Sequence, residues 1–260
     1  MGHRTTYTPG TFSWTDLTTT DQNAAKRFYG ELLGWTFADL PVGEGFVYSM
    51  AQVDGATVAA ISPQPQQQRD AGAPPLWNSY VTVESADDAV ERATSLGGTA
   101  HAPAFDVMDA GRMAVLQDPQ GAYFMPWQPN TNIGAELVNA PGALVWNELT
   151  TPDLDASEDF YGGLFGWTTE IAPGPMEYRV IKRADGGRNG GMRPPMPPGT
   201  PPFWLVYFGT SDIAGAAAKV SGLGGTVLAA PMAIEGLGEL AVAQDPQGAV
   251  FALYAGNFDG

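Results

Sequence analysis

Trp14 and Asp16 stand two residues apart in FSWTDL (residues 12–17), and Trp146 and Glu148 repeat that spacing in LVWNEL (residues 144–149). On an extended strand, residues i and i+2 point to the same face. Each pair therefore sets an indole beside a carboxylate. An indole presents a broad plane for stacking and one N–H donor. A carboxylate next to it can fix a ligand amine or hydroxyl, or act as a general acid or base, and burial raises its pKa toward a useful range. Asp16 and Glu148 are the candidate catalytic residues on this reasoning. Plain core packing also accounts for a tryptophan on an inner face. A carboxylate on that face is harder to dismiss, because an unpaired buried charge is costly. Arg112 is a candidate partner in the first copy. The corresponding position in the second is Glu239, so the two copies are not equivalent.

Composition narrows the chemistry. With no cysteine among 260 residues, disulfides, thiolate nucleophiles and thiolate metal sites are excluded. Only two histidines occur, His3 and His101, and His101 reads as a surface or internally satisfied residue. The net charge of -16 disfavours nucleic acid as a partner. No apolar run reaches the ~20 residues of a membrane span. The first residues, MGHRTTYTPGTF, lack the apolar stretch of a signal peptide. The expectation is a cytoplasmic protein, monomer or homodimer, whose partner is a small molecule rather than a nucleic acid or a membrane.

The residues that carry the pairs lie in a duplicated chain. TTTDQNAAKRFYGELLGWTF (18–37) matches TTPDLDASEDFYGGLFGWTT (150–169) at an offset of 132, whereas QDPQGA at 117–122 recurs at 244–249, an offset of 127. The five additional residues of the first copy fit the segment SPQPQQQRDAGAPP (62–75). Two modules follow, 1–130 and 141–260, with a linker over 131–140. In each, a strand leads into a helix capped by Thr20 or Asp21 in the first copy and ended by Gly34, or by Gly166 in the second. Short strands, a second helix and three further strands complete the module, with DPQG as the turn before the last strand. The pattern is βαβββ four times over, an α+β class with helices on one side of curved sheets. GRNGGMRPPMPPG (187–199) reads as a mobile loop beside the second module. Trp35 and Trp167, each following a helix-ending glycine, read as structural.

A first strand, then AAKRFYGELLGW or ASEDFYGGLFGW, then DPQGAYF or DPQGAVF, resembles the vicinal oxygen chelate superfamily, the glyoxalase, bleomycin-resistance and extradiol-dioxygenase proteins. The likeness covers nearly the whole chain and is closest to the two-module actinobacterial type described as glyoxalase-like or hydroxylase. It implies tandem glyoxalase-like modules: four βαβββ units forming two open, curved mixed β-barrels, each around a cavity. Metal-dependent members hold one divalent ion with His, Gln and Glu from inward strand positions. Those positions fall here on Trp14 and Trp146, near Asn78 and Leu205, and on Met125 and Ala252. Imidazole-type metal sites lack ligands among these types, so no metal and no cofactor is expected. The resemblance then implies a metal-free protein binding an aromatic or polyketide-like metabolite or antibiotic, in a resistance or biosynthesis setting. Trp14, Trp146, Asn78, Tyr80, Met125, Trp127, Tyr207 and Tyr254 are the candidate ligand-binding residues. The competing expectation is a metal-independent enzyme of lyase, isomerase or hydroxylase type, with Asp16 or Glu148 as acid/base.

Overall fold

Both first strands run where the repeats place them, β1 over Phe12–Thr19 and its copy over Leu144–Thr150. The computed structural model describes residues 2–43, 45–174 and 176–258. After β1 come α1 (Gln22–Leu33), β2 (Thr36–Pro41), β3 (Val47–Val53), β4 (Ala56–Pro63), the short α2 (Gln66–Asp70), β5 (Leu76–Thr82) and α3 (Ala86–Ser95). The first module closes with β6 (Thr99–Ala100), β7 (Phe105–Val107), β8 (Gly111–Met113), β9 (Leu116–Gln117) and β10 (Tyr123–Pro129). The second contains β11 (Leu144–Thr150), α4 (Leu154–Phe165), β12 (Thr168–Ile171), β13 (Arg179–Lys182), β14 (Arg188–Arg193) and β15 (Phe203–Gly209). It ends with α5 (Ile213–Gly222), β16 (Thr226–Ile234), β17 (Gly238–Gln244) and β18 (Val250–Gly256).

The helix ends follow local chemistry. Asp21 accepts a hydrogen bond from the Ala24 amide, and Gly34 takes a left-handed φ of 74° that no β-carbon obstructs. Asp153 and Gly166 do the same for α4. Each sheet is assembled from two units. The first runs β2-β3-β4-β1-β5-β10-β8-β7, with β9 also on β10 and β6 on β9; the second runs β12-β13-β14-β11-β15-β18-β17-β16. Pairing is mixed: β1 is parallel to β4 and antiparallel to β5, and β10 is parallel to β5. The glycine-rich stretch differs from its sequence reading. Residues 188–193 form β14, hydrogen-bonded between β11 and β13 rather than looped out. The glycines serve close packing there, since a β-carbon at Gly191 would collide with the Tyr178 hydroxyl.

The helix-covered faces of the two sheets share their cores crosswise. Phe28 and Tyr29 of α1 pack with Phe208, Phe251 and Ile213 of the second module. Phe160 and Tyr161 of α4 pack with Val81, Leu116 and Phe124 of the first. A polar relay runs through each core. Trp77 Nε1 donates to Tyr29 Oη (3.0 Å), which donates to Asp245 Oδ2 (3.1 Å). Trp204, Tyr161 and Asp118 repeat it at 3.0 and 2.9 Å. The aspartates of the two DPQG turns thus tie the modules together as well as shaping their own turns. Trp35 donates to Gly142 O (2.6 Å) and Trp167 to Gly10 O (2.8 Å), so the segment before each first strand is held by the opposite module. Among the described residues, no helix is long and apolar enough to cross a membrane.

Candidate functional site

The opposite, inward face of the first sheet carries Trp14, Asp16, Asn78, Tyr80, Met125 and Trp127. Cross-strand register sets Trp14 and Met125 level with Tyr80, and Asp16 level with Asn78. Asp16 is 5% exposed and its carboxylate is fully occupied. Oδ1 accepts from Asn78 Nδ2 (2.7 Å), while Oδ2 accepts from Tyr48 Oη (2.9 Å) and Tyr80 Oη (3.0 Å). Asn78 also donates to Thr18 Oγ1, and Trp14 Nε1 donates to Tyr48 Oη (3.0 Å). The Trp14 N–H is therefore already used within the protein. Burial pushes the Asp16 carboxyl above its ordinary value, opposed by the hydrogen bonds from Asn78, Tyr48 and Tyr80. Burial and the neighbouring Asp16 charge push both phenols well above theirs, which keeps them as donors.

Arg112 does not reach this carboxylate. It pairs with Asp87 and Asp106 on the surface, both at 2.9 Å, because β8 lies at the far side of the sheet from β1. Asp16 is thus held by neutral donors. Linkage fixes the sign of its pH dependence. A carboxyl whose folded pKa is raised contributes stability fully present below its unfolded pKa and lost as pH rises through the folded value. Asp16→Asn removes that loss, so the variant should gain on the wild type as pH climbs from below 4 toward neutrality. Urea unfolding of both proteins across that range checks it; parallel pH profiles would rule out a raised Asp16 pKa.

The second sheet repeats the constellation with one change. Trp146 Nε1 donates to Tyr178 Oη (2.8 Å), and the phenols of Tyr178 and Tyr207 both reach Glu148. Leu205 stands where the first sheet has Asn78. Arg193 supplies the missing donor from β14, with Nε 2.5 Å from Glu148 Oε1. Sequence reasoning missed Tyr48, Tyr178 and Arg193. The two tyrosines leave a trace, since FVYSM and MEYRV place them 130 residues apart, between the offsets of the flanking matches. Arg193 has no such signal, because Ser62 takes its place in the first module.

Exposure separates the two faces. In the first module, Trp14, Tyr80, Met125 and Trp127 are each at most 7% exposed. Tyr7 of the N-terminal segment and Ala135 and Val138 of the linker region pack with them, and Trp127 Nε1 donates to Asn132 O (2.9 Å). Among the described residues, the apolar cluster of the second face includes none from the N-terminal segment or the linker region, and Val145, Trp146, Leu240, Val242 and Tyr254 are only half-buried. Tyr254 stands toward the end of β18, away from Glu148, its hydroxyl donating to Leu237 O (2.7 Å). Trp77 and Trp204 belong to the helix-side cores. His101 is exposed, stacks near Tyr123 and lies 3.3 Å from Gln117 Oε1.

The donor set does not fit a divalent ion of the vicinal oxygen chelate kind. The inward row level with Trp14 reads Trp14, Tyr80, Met125, and its counterpart reads Trp146, Tyr207, Ala252. Tyr80 is level with Trp14, and Asn78 with Asp16. Among the described residues no three His, Cys, Asp or Glu side chains converge. Such an ion needs imidazole or several converging oxygens.

Comparison with known proteins gives a coherent picture. The family model described as the Glyoxalase/Bleomycin resistance protein/Dioxygenase superfamily matches residues 11–125 and 143–253. The chain is 48% identical over 257 residues to the putative glyoxylase CFP32 of Mycobacterium tuberculosis, covering 97% of each chain. It is 31% identical over 272 residues to the anthracycline biosynthesis protein DnrV of Streptomyces peucetius, covering 96% of this chain and 94% of that one. The crystal structure of the Mn(II)-bound glyoxalase from Novosphingobium aromaticivorans superposes with a TM-score of 0.64 at 14% identity, covering 100% of this chain and 86% of that one.

Proposed function

Since the chain belongs to the glyoxalase/bleomycin resistance protein/dioxygenase superfamily, whose members bind small molecules, we propose that it is a metal-free binding protein for an aromatic or polyketide-like ligand held on the inward face of the second module. One observation carries this reading. The row where a family metal would sit is occupied in both sheets by tryptophan and tyrosine, and only in the second is the tryptophan partly open to solvent. The N–H of Trp146 is taken by Tyr178, so its ring plane is what it offers a ligand, through stacking. The similarity to a protein named for anthracycline biosynthesis supports a polycyclic aromatic ligand.

Titration of tryptophan fluorescence with polycyclic aromatic compounds tests the proposal. Trp146→Ala should weaken binding about thirtyfold, as loss of a central aromatic contact does. Trp14→Ala should instead cost about 3–5 kcal/mol of stability, because it empties a packed site, with affinity in the folded protein little changed. Equal affinity in wild type and Trp146→Ala would remove the second face as the ligand surface. Elemental analysis of the purified protein should find far less than one transition metal per chain. One tightly held iron, nickel or zinc per module would overturn the metal-free part.

A metal-independent enzyme with Asp16 or Glu148 as acid/base is the second reading. What favours it is Asp16, a buried carboxyl shifted upward with no cation against it. Turnover of a bound aromatic compound that disappears in Asp16→Asn while binding persists would decide for it.

A further inference from the structure

Six of the twelve basic residues of this acidic chain sit against carboxylates: Lys26, Arg112, Arg179, Lys182, Arg183 and Arg193 all form ion pairs. Arg4 and Arg188 form none among the described residues, and both are exposed. They meet in one place. A cleft of about 100 Å³ opens where the N-terminal segment crosses β11, lined by Arg4, Tyr7, Trp146, Arg183, Arg188 and Asn189 among others. None of its lining residues is acidic, although the chain carries 28 acidic residues.

The walls are built rather than incidental. Asn189 accepts from the Phe12 amide (3.1 Å) and donates to Gly10 O (2.9 Å), which pins the crossing segment to β14. Arg4 is anchored by its amide to Glu136 O (2.9 Å), and Tyr7 by its hydroxyl to Ala135 O (2.6 Å). Arg183 donates to Arg188 O (3.3 Å) and pairs with Asp185 (3.1 Å), yet its Nε is buried with no hydrogen-bond partner. Three arginines from two separate points of the chain, the N-terminal segment and the β13–β14 hairpin, thus line a space the size of one small polyatomic ion. Guanidinium groups match planar and tetrahedral oxyanions through paired N–H donors.

We propose that this cleft binds a small oxyanion group, a carboxylate or a phosphate, through Arg4 and Arg188 with Arg183 as the third cation. Trp146 borders both this cleft and the proposed ligand face, so the two adjoin, but the anion and the aromatic ligand are read by separate titrations and either can fail without the other. Isothermal titration at low ionic strength with inorganic phosphate, and separately with acetate, tests it. At least one of the two should bind saturably at one per chain, and the stronger names the preferred group. Binding should weaken about tenfold or more in the Arg4→Gln/Arg188→Gln double variant, as expected when charge-assisted contacts are lost, and also as sodium chloride is raised. Because neither side chain has an ion pair to lose, the variant should melt as the wild type does without added anion. Absence of saturable binding by both anions, or equal affinity in the double variant, would overturn the proposal.

Discussion

Replacing Arg193 by methionine is expected to lower the unfolding free energy by about 3 kcal/mol, the lower end of the cost of stranding one partner of a buried ion pair. Glu148 is 4% exposed, and Arg193 is the cation that meets it. Tyr178 and Tyr207 would remain as neutral donors, which is why the lower end is expected. The first module shows that such a cage can hold a carboxylate without a cation, but there Asn78 adds a third donor, where the second module has Leu205. Adding Glu148→Gln to Arg193→Met should recover most of the loss, because no buried charge is then left unpaired. Urea unfolding of the single and double variants measures this directly. A single variant within 0.5 kcal/mol of wild type, on the order of an ordinary surface change, would mean that Arg193 does not neutralise Glu148.

The second large effect should come from a residue far from either inward face. Asp245→Ala is expected to cost about 3 kcal/mol, since one buried carboxylate satisfies four donors. Its Oδ1 accepts from the amides of Gln247, Gly248 and Ala249, each at 2.9 Å, and its Oδ2 from Tyr29 of the other module. Part of that gain is offset in the wild type by the cost of burying the charge, which also pushes the Asp245 carboxyl above its ordinary range. Tyr29→Phe removes only the hydroxyl and leaves the Trp77 N–H unpaired, so about 2 kcal/mol is expected. Because the cores are shared crosswise, either change should shift one cooperative transition. Separate melting of the two modules, monitored by calorimetry, would contradict the shared core.

Much of this arrangement is legible in the sequence. The repeated FYxxL helices, their Asp and Gly caps and the DPQG turns are local features, and local features survive translation into structure. Strand alternation placed Trp14 with Asp16 and Trp146 with Glu148 for the same reason. The differences lie in contacts between distant residues and in glycine-rich backbone. Arg112 is a candidate partner for Asp16 by sequence, but the acids it meets lie on α3 and β7. The glycine-rich stretch read as a loop because glycine weakens strand signals, yet in β14 it admits the Tyr178 ring.

The duplication, the α+β class, the family and the side chains that share a strand face are all readable in the sequence, since the first and third rest on repeated motifs and the others on periods of two or about four residues. What those side chains meet is set by tertiary packing. Tyr48 of β3, Tyr178 just before β13 and Arg193 of β14 arrive at the carboxylates through sheet register that no local period encodes. Tertiary packing likewise closed the first inward face with the linker region and left the second open. Two nearly identical motifs thereby acquired different exposure and different charge compensation, because burial is set by which distant segment crosses over a strand.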